Sequence, residues 1–367
     1  MLDPGVVFLN HGSFGACPKP VFETYQKWQR ELEWQPVDFL GRRADDLLNQ
    51  ARAALAEYVN GDVDNLVFVP NATSGVNVAA RSLRLQPGDE ILTTDHEYGA
   101  CSYSWQHNCE RTGAKYVIRP MPLPMSTPEA FVERFWEGVT PRTRVIYMSH
   151  ISSPSALVFP IEEICRRARE AGIISVIDGA HAPGQIPLDM KKIGADFYTG
   201  NCHKWMMTPK GSGFLYVRPE YQWPIEPLII SWGWTEDSNF IRRNQSQGTR
   251  DPSAYLAVPA AIEWMKEHNW DLVRAQCHGL GVELRKQIMD WSDQPEIAPE
   301  SWFSQMFTAL LPPYDPQVLK QRLYDEYRIE VPLTTADGHQ AIRVSFQGYN
   351  TYEDGQKLLT ALRELIT

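Results

Sequence analysis

Lys204 stands between His203 and Trp205, ahead of the glycine turn Lys210-Gly211-Ser212-Gly213 and the apolar run Phe214 to Val217. A short apolar run bounded by turn residues reads as a buried strand. A lysine just before such a strand needs something to take up its charge, because lysine is rarely buried unpaired. Two readings satisfy that requirement. The amine is condensed with an aldehyde as a Schiff base, as happens with pyridoxal phosphate, or it sits in a solvated loop. Thr73, Tyr98, Ser153, Asp178 and His181 share a placement with Lys204: each falls just after a predicted strand or in the turn that follows. An aspartate there often caps the next turn, so each residue taken alone has a structural explanation. Their common placement at one sheet edge points to a ligand site, because open α/β sheets bind ligands at the carboxyl ends of their strands.

The elements that must position these residues follow from periodicity. Predicted strands are Leu66 to Val69, Glu90 to Thr94, Tyr116 to Arg119, Val145 to Ser149 and Ile173 to Ile177. Helical patterns run from Pro20 to Tyr58, broken near Pro36 and Gly41, and over Val76 to Leu83, Tyr98 to Arg111, Pro128 to Gly138 and Glu162 to Ala171. Strands alternating with helices of this length imply βαβ units and a mostly parallel sheet. Asn71-Ala72-Thr73-Ser74-Gly75 joins a strand to a helix start, where free N–H groups and the helix dipole make an anion site; a plain cap by Thr73 or Ser74 explains it equally. Phe8 to Gly15 reads either as a backbone that approaches something closely or as an ordinary turn.

After Gly213 come a Trp/Pro-rich run (Trp223, Pro224, Pro227, Trp232, Trp234) and Gln247-Gly248-Thr249-Arg250. Helices are predicted over Ala254 to His268, Leu272 to Trp291, Pro316 to Tyr327 and Tyr352 to Ile366, with strands Met306 to Leu311 and Ile342 to Phe346. The expected fold class is therefore α/β: a large domain over 16–252 with a mostly parallel sheet between helices, and a smaller C-terminal α/β domain over 253–367 that includes the N-terminal segment 1–15.

Composition narrows the partners. The 367 residues are 43% hydrophobic and include 12 tryptophans, enough for a large core. A net charge of -10 argues against nucleic acid or an anionic membrane surface, which need a basic footprint. The six cysteines form no C-x-x-C pair and no Cys/His metal cluster. Unpaired thiols, no basic-then-apolar leader and no long apolar run lead to the expectation of a cytoplasmic protein without a membrane span or metal, acting on a small molecule.

With these residues in place the chain resembles the class V, fold type I pyridoxal-phosphate enzymes, and within them the isopenicillin N epimerase-like branch. The matching segments run from Phe8-Leu-Asn-His-Gly to Ile342-Arg343-Val-Ser, nearly the whole chain, and Asn201-Cys202-His203-Lys204-Trp205 with Pro209-Lys210-Gly211 is the specific motif. The resemblance implies that Lys204 carries the cofactor and then acts as base at the substrate α-carbon. It implies that Asp178 keeps the pyridine nitrogen protonated. Tyr98 stands where the family has a ring-stacking histidine, with His96 as the alternative. Ala72, Thr73, Asn201 and His203 would hold the phosphate, joined by Gly248 and Thr249 from the neighbouring subunit of a homodimer. Ser153 and His181 would meet the cofactor's 3-hydroxyl. Asn10, His11 and Arg343 would bind substrate, Arg343 through its planar fork on a carboxylate.

Epimerisation, transamination and β-elimination all remain open, with His11 and Cys202 as candidate second proton donors. Cysteine desulfurases of this fold use a persulfide-forming cysteine on a small-domain loop. Here no cysteine follows Cys277 and Val331 to Gln340 contains none, so a C–S lyase that needs no such thiol is the surviving sulfur chemistry. The reading from a different class is a non-catalytic nucleotide- or ligand-binding α/β protein. The absence of G-x-G-x-x-G or Walker sequences after the predicted strands counts against it.

Overall fold

The computed structural model describes residues 1–223 and 225–366; Pro224 of the Trp/Pro-rich run and Thr367 lie outside the described residues. Seven strands form one sheet in the spatial order Leu66–Val69, Gly213–Val217, Phe197–Asn201, Ile174–Gly179, Thr143–Ser149, Glu90–Thr94, Lys115–Arg119. Gly213–Val217 is antiparallel to both neighbours, and the remaining pairings are parallel, so six strands share one direction. Their carboxyl ends therefore meet along one edge.

The two sheet faces are covered by separate cores, and the strands supply both by alternation. Leu66 and Phe68 face one core, together with helices Lys19–Trp34, Ala44–Tyr58 and Ile161–Glu170. Val67 and Val69 face the other, with helices Ala72–Ser82 and Gly99–Thr112. Gly113, at φ +76°, ends the latter helix by returning its N–H to Cys109, the left-handed stop that glycine permits without a Cβ clash.

Three local outcomes differ from the sequence expectations. Helix Ala72–Ser82 starts four residues before Val76, and its cap is Asn71, whose side chain accepts from the Ser74 N–H, not Thr73 or Ser74. The predicted helix over 254–268 is two helices, Ser253–Leu256 and Val258–Glu267, because Pro259 brings no N–H and is tolerated only in a first turn. Phe197–Asn201 is a fully buried strand that the expectations left unassigned. Its Gly200 is required by close packing, since a Cβ there would lie 2.7 Å from Phe214 and Pro183 atoms.

The C-terminal region carries an antiparallel sheet of Leu333–Ala336, His339–Ser345 and Met306–Leu310, with Asp337-Gly338 at positive φ in the two-residue hairpin turn. Helices Trp270–Ser292, Pro316–Asp325 and Tyr352–Leu365 pack around it. The N-terminal segment is woven into this region: Val7–Phe8 pairs with Ile329–Glu330, and Asn10 bridges Ser345. Among the described residues no helix is long and apolar enough to cross a membrane.

Candidate active site

A cavity of about 350 Å³ opens at the carboxyl ends of the strands, and its wall includes Ala72, Thr73, Tyr98, Ser153, Asp178, His181, Asn201, His203 and Lys204. Ala72 and Lys204, 132 positions apart in sequence, thus meet as the sheet rule requires.

Lys204 sits on the turn after strand Phe197–Asn201, and two glycines press that turn from outside. A Cβ on Gly15, at φ +72°, would lie 2.1 Å from the His203 carbonyl; one on Gly184, at φ +90°, would lie 2.4 Å from the Trp205 carbonyl. Phe8 to Gly15 is therefore a close backbone approach, not an ordinary turn. Lys204 Nζ lies 3.1 Å from His181 Nε2, and Trp205 Nε1 donates to His181 Nδ1 at 3.3 Å. Burial, aided by the Arg343 charge, brings the Lys204 amine down to about 8. Burial also holds His181 well below the usual imidazole range, with the Lys204 charge acting in the same direction.

Asp178 is buried near the end of strand Ile174–Gly179. Oδ1 accepts from the Ala180 N–H at 2.9 Å, while Oδ2 accepts from the Tyr147 hydroxyl at 3.3 Å and the Cys101 thiol at 3.4 Å. Burial raises its pKa, so a cation placed against it gains the most by pairing.

Between the two candidates for an aromatic platform the positions differ plainly. Tyr98 lines the cavity and is 47% exposed. His96 is buried away from it, with Nε2 2.8 Å from the Met121 carbonyl, Nδ1 3.1 Å from Ser155 Oγ, and its ring edge-on to Phe159.

At the opposite end, Asn201 Oδ1 accepts the Ala72 N–H at 2.8 Å, which fastens the helix start to the central strand. Gly75 allows the same contact, since a Cβ there would lie 2.1 Å from Thr199 Oγ1. His203 Nδ1 lies 2.9 Å from the Ser212 carbonyl, so Nδ1 carries the proton; burial lowers the ring to about 4. Lys210 lines the same wall. A helix N-terminus flanked by a cation suits an anion such as phosphate.

Arg343, on strand His339–Ser345, stands behind the cavity wall and bonds two residues that line it. Its Nη1 donates to the Ser153 carbonyl at 2.6 Å and to Ser153 Oγ at 3.0 Å, and Nη2 donates to Ser13 Oγ at 3.2 Å. Nε has no partner, and among the described residues no carboxylate pairs with the guanidinium, which burial lowers to about 10.

Other expected residues stand apart from the cavity wall. Asn10 donates to Glu330 at 3.0 Å, and His11 is fully buried between Tyr349 Oη (2.9 Å) and the Lys204 carbonyl (3.1 Å), so His11 braces the Lys204 turn from behind while Asn10 ties the N-terminal segment to Glu330. Cys202 is fully buried and faces the core. Gly248 and Thr249 are exposed and do not line the cavity of their own chain. The sequence expectations passed over Ser13, Phe14 and Lys210 in the wall, and Glu97 beneath it. Glu97 Oε2 accepts from Ser149 N–H and Oγ at 2.8 and 2.6 Å, Oε1 accepts from Thr94 Oγ1 at 2.7 Å, and burial pushes it up to about 7. An acid directly between His96 and Tyr98, after a strand, was the available signal.

Comparison with known proteins agrees with this geometry. Residues 15–358 match the family described as aminotransferase class-V. The chain is 34% identical to isopenicillin N epimerase of Streptomyces clavuligerus, over 100% of this chain and 96% of that protein. It is 28% identical to L-cysteine desulfhydrase of Arabidopsis thaliana, over 99% of this chain and 88% of that protein. The solved structure of a cystine C–S lyase, C-DES, in complex with cysteine persulfide superposes with a TM-score of 0.85 at 23% identity, covering 99% of this chain and 98% of the other. The chain belongs to the class-V aminotransferase family of pyridoxal-phosphate-dependent enzymes.

Proposed function

We propose that this enzyme removes the α-proton of an amino acid or close analogue, with Lys204 as cofactor anchor and base and Arg343 as the carboxylate clamp. The observation that carries the substrate class is the buried Arg343 guanidinium, which among the described residues has an unpartnered Nε and no paired carboxylate. Burying a cation without a counter-charge is costly, and a substrate carboxylate would supply that charge in a bidentate geometry.

The residues present fit the cofactor. An amine, a carboxylate and a helix N-terminus occupy one cavity with an aromatic ring at its wall. Pyridoxal phosphate, when bound, supplies an electron sink for the pair left at the substrate α-carbon. Asp178 would hold a proton at the pyridine nitrogen, Tyr98 would cover a ring face, and Ser153 and His181 would face the 3-oxygen. Ala72, Thr73, Asn201 and His203 would hold the phosphate, together with Gly248 and Thr249 of a second copy in a homodimer. Burial lowers the freed Lys204 amine to about 8, so an uncharged fraction able to accept the α-proton is present near neutrality, far larger than an ordinary lysine would supply. His11 would support substrate binding through the position of the Lys204 turn, and Asn10 through Ser13, whose Oγ donates to it and also accepts from Arg343.

The epimerase-like outcome is supported by the 34% identical relative. A second reading, C–S bond elimination, is supported by the cysteine desulfhydrase relative. Incubation with a panel of amino acids, assayed for racemised substrate, keto acid and sulfide, separates these outcomes. Inertness toward every α-amino acid would reject both.

We further propose that 16–252 and 253–367, the latter with 1–15, act as two bodies that enclose substrate between Lys204 and Arg343. Six free cysteines support a reducing, cytoplasmic setting.

A further inference from the structure

The ring of His181 is held from both sides. Trp205 is fully buried, and its indole N–H points at Nδ1 from 3.3 Å; Lys204 Nζ lies 3.1 Å from Nε2. An indole nitrogen only donates, so Nδ1 accepts. In a neutral imidazole with an accepting Nδ1 the proton resides on Nε2. We propose that Trp205 is a positioning residue that fixes the His181 proton on Nε2, aimed at Lys204 Nζ, and thereby selects the uncharged amine of Lys204.

The selection follows from hydrogen-bond polarity. An Nε2–H can donate to the lone pair of a free amine but can only oppose an ammonium, which has donors alone. The groups around the ring push in the same direction. Lys204, Arg343 and His11 each disfavour a doubly protonated His181; at Lys204 itself the Asp178 carboxylate acts the other way, and burial with the Arg343 charge outweighs it. The free amine is the form that condenses with an aldehyde, so Trp205 would prepare Lys204 to capture cofactor near neutral pH. This consequence rests on Lys204 being the cofactor anchor; the tautomer itself does not.

The direct test is long-range proton–nitrogen correlation on the full-length enzyme with ¹⁵N-labelled histidine, with and without cofactor, His181 being assigned by its loss in His181→Gln. The expected pattern is a bare Nδ1 and a protonated Nε2 across neutral pH. A proton on Nδ1 in the wild-type protein overturns the proposal. The second measurement strips the cofactor and follows the pH dependence of its recapture by visible absorbance, in wild type and Trp205→Phe. Without the indole N–H the ring can turn its lone pair to an ammonium, so the pH midpoint should rise by about one unit, the scale of one modest hydrogen bond. An unchanged midpoint in a folded variant also overturns the proposal. If Trp205→Phe does not fold, the wild-type tautomer decides alone. If wild type never develops the visible band, the anchor assignment fails instead, and the nitrogen spectrum still reports on Trp205.

Discussion

Lys204 and Lys210 lie six residues apart and both face the cavity, yet only Lys204 meets an imidazole there, whereas Lys210 is exposed at the rim. Lys204→Ala should abolish both the visible cofactor band and turnover. Borohydride reduction followed by peptide mapping should label Lys204 alone, and a label on Lys210 would reverse the assignment. Asp178→Asn should still bind cofactor but slow α-proton exchange by orders of magnitude, since an amide cannot keep the pyridine nitrogen protonated. Arg343→Ala should raise KM for an amino acid, costing about 2 to 5 kcal/mol of binding, while the resting spectrum stays as it was. Glu97 adds a pH prediction. Its folded pKa near 7 exceeds the ordinary 4.5, so between those values the folded state holds a proton that the unfolded chain releases. Stability contributed by this group is therefore lost as pH rises through that window. Urea unfolding across the window should show wild type losing stability with rising pH relative to Glu97→Gln; parallel curves would remove Glu97 as the source. Residue type and placement after predicted strands pointed to Lys204 and Asp178 in the sequence, because each is costly to bury without a task, whereas only the family resemblance pointed to Arg343. Glu97 and Trp205 were harder to see, because what they do depends on which atom each faces.

At the scale of elements, the turn that bears Lys204 is shaped by what presses on it. Gly184 combines φ +90° with a Cβ site 2.4 Å from Trp205 backbone, while Gly88 has a similar φ +89° in open space. Alanine at Gly88 should cost only the left-handed backbone penalty, about 1 to 2 kcal/mol. Alanine at Gly184 should cost more than that and should also loosen cofactor, because the Lys204 turn must shift. Thermal unfolding and cofactor retention of the two variants test this, and equal losses would mean that the clamp has no effect on the site. Strands and helices with clean periodicity were legible from sequence within a few residues. Phe197–Asn201 was not, because a central strand containing Thr199, Gly200 and Asn201 lacks the apolar run that marks such strands. Its identity depends on two neighbouring strands and on the ring of Phe214 lying over Gly200.

For the whole molecule, the proposed homodimer makes a prediction that a single chain cannot meet. Co-expressed Lys204→Ala and Thr249→Glu chains should form hybrids with one intact site, built from the Lys204 of one chain and the Thr249 of the other. Recovery of activity on mixing two inactive variants would support the shared site, and none would mean that Thr249 acts within its own chain or not at all. The α/β class and the gathering of residues at the sheet edge were legible because they follow from the order of elements. The pairing of Val7–Phe8 with Ile329–Glu330 was not, since two-residue strands carry no periodic signal and their partners lie at the far end of the sequence.

That pairing also orders events in time. Residues 7–15 leave the ribosome more than 300 residues before Ile329, Glu330 and Ser345, which hold them. Until then His11 and Gly15 have no fixed position from which to brace the Lys204 turn. The sheet can form during synthesis, as domains generally do, while the Lys204 turn stays unbraced. With Lys204 as the proposed anchor, secure capture of the cofactor would await the segment around Ile329, and a nascent chain stalled before it should hold cofactor weakly.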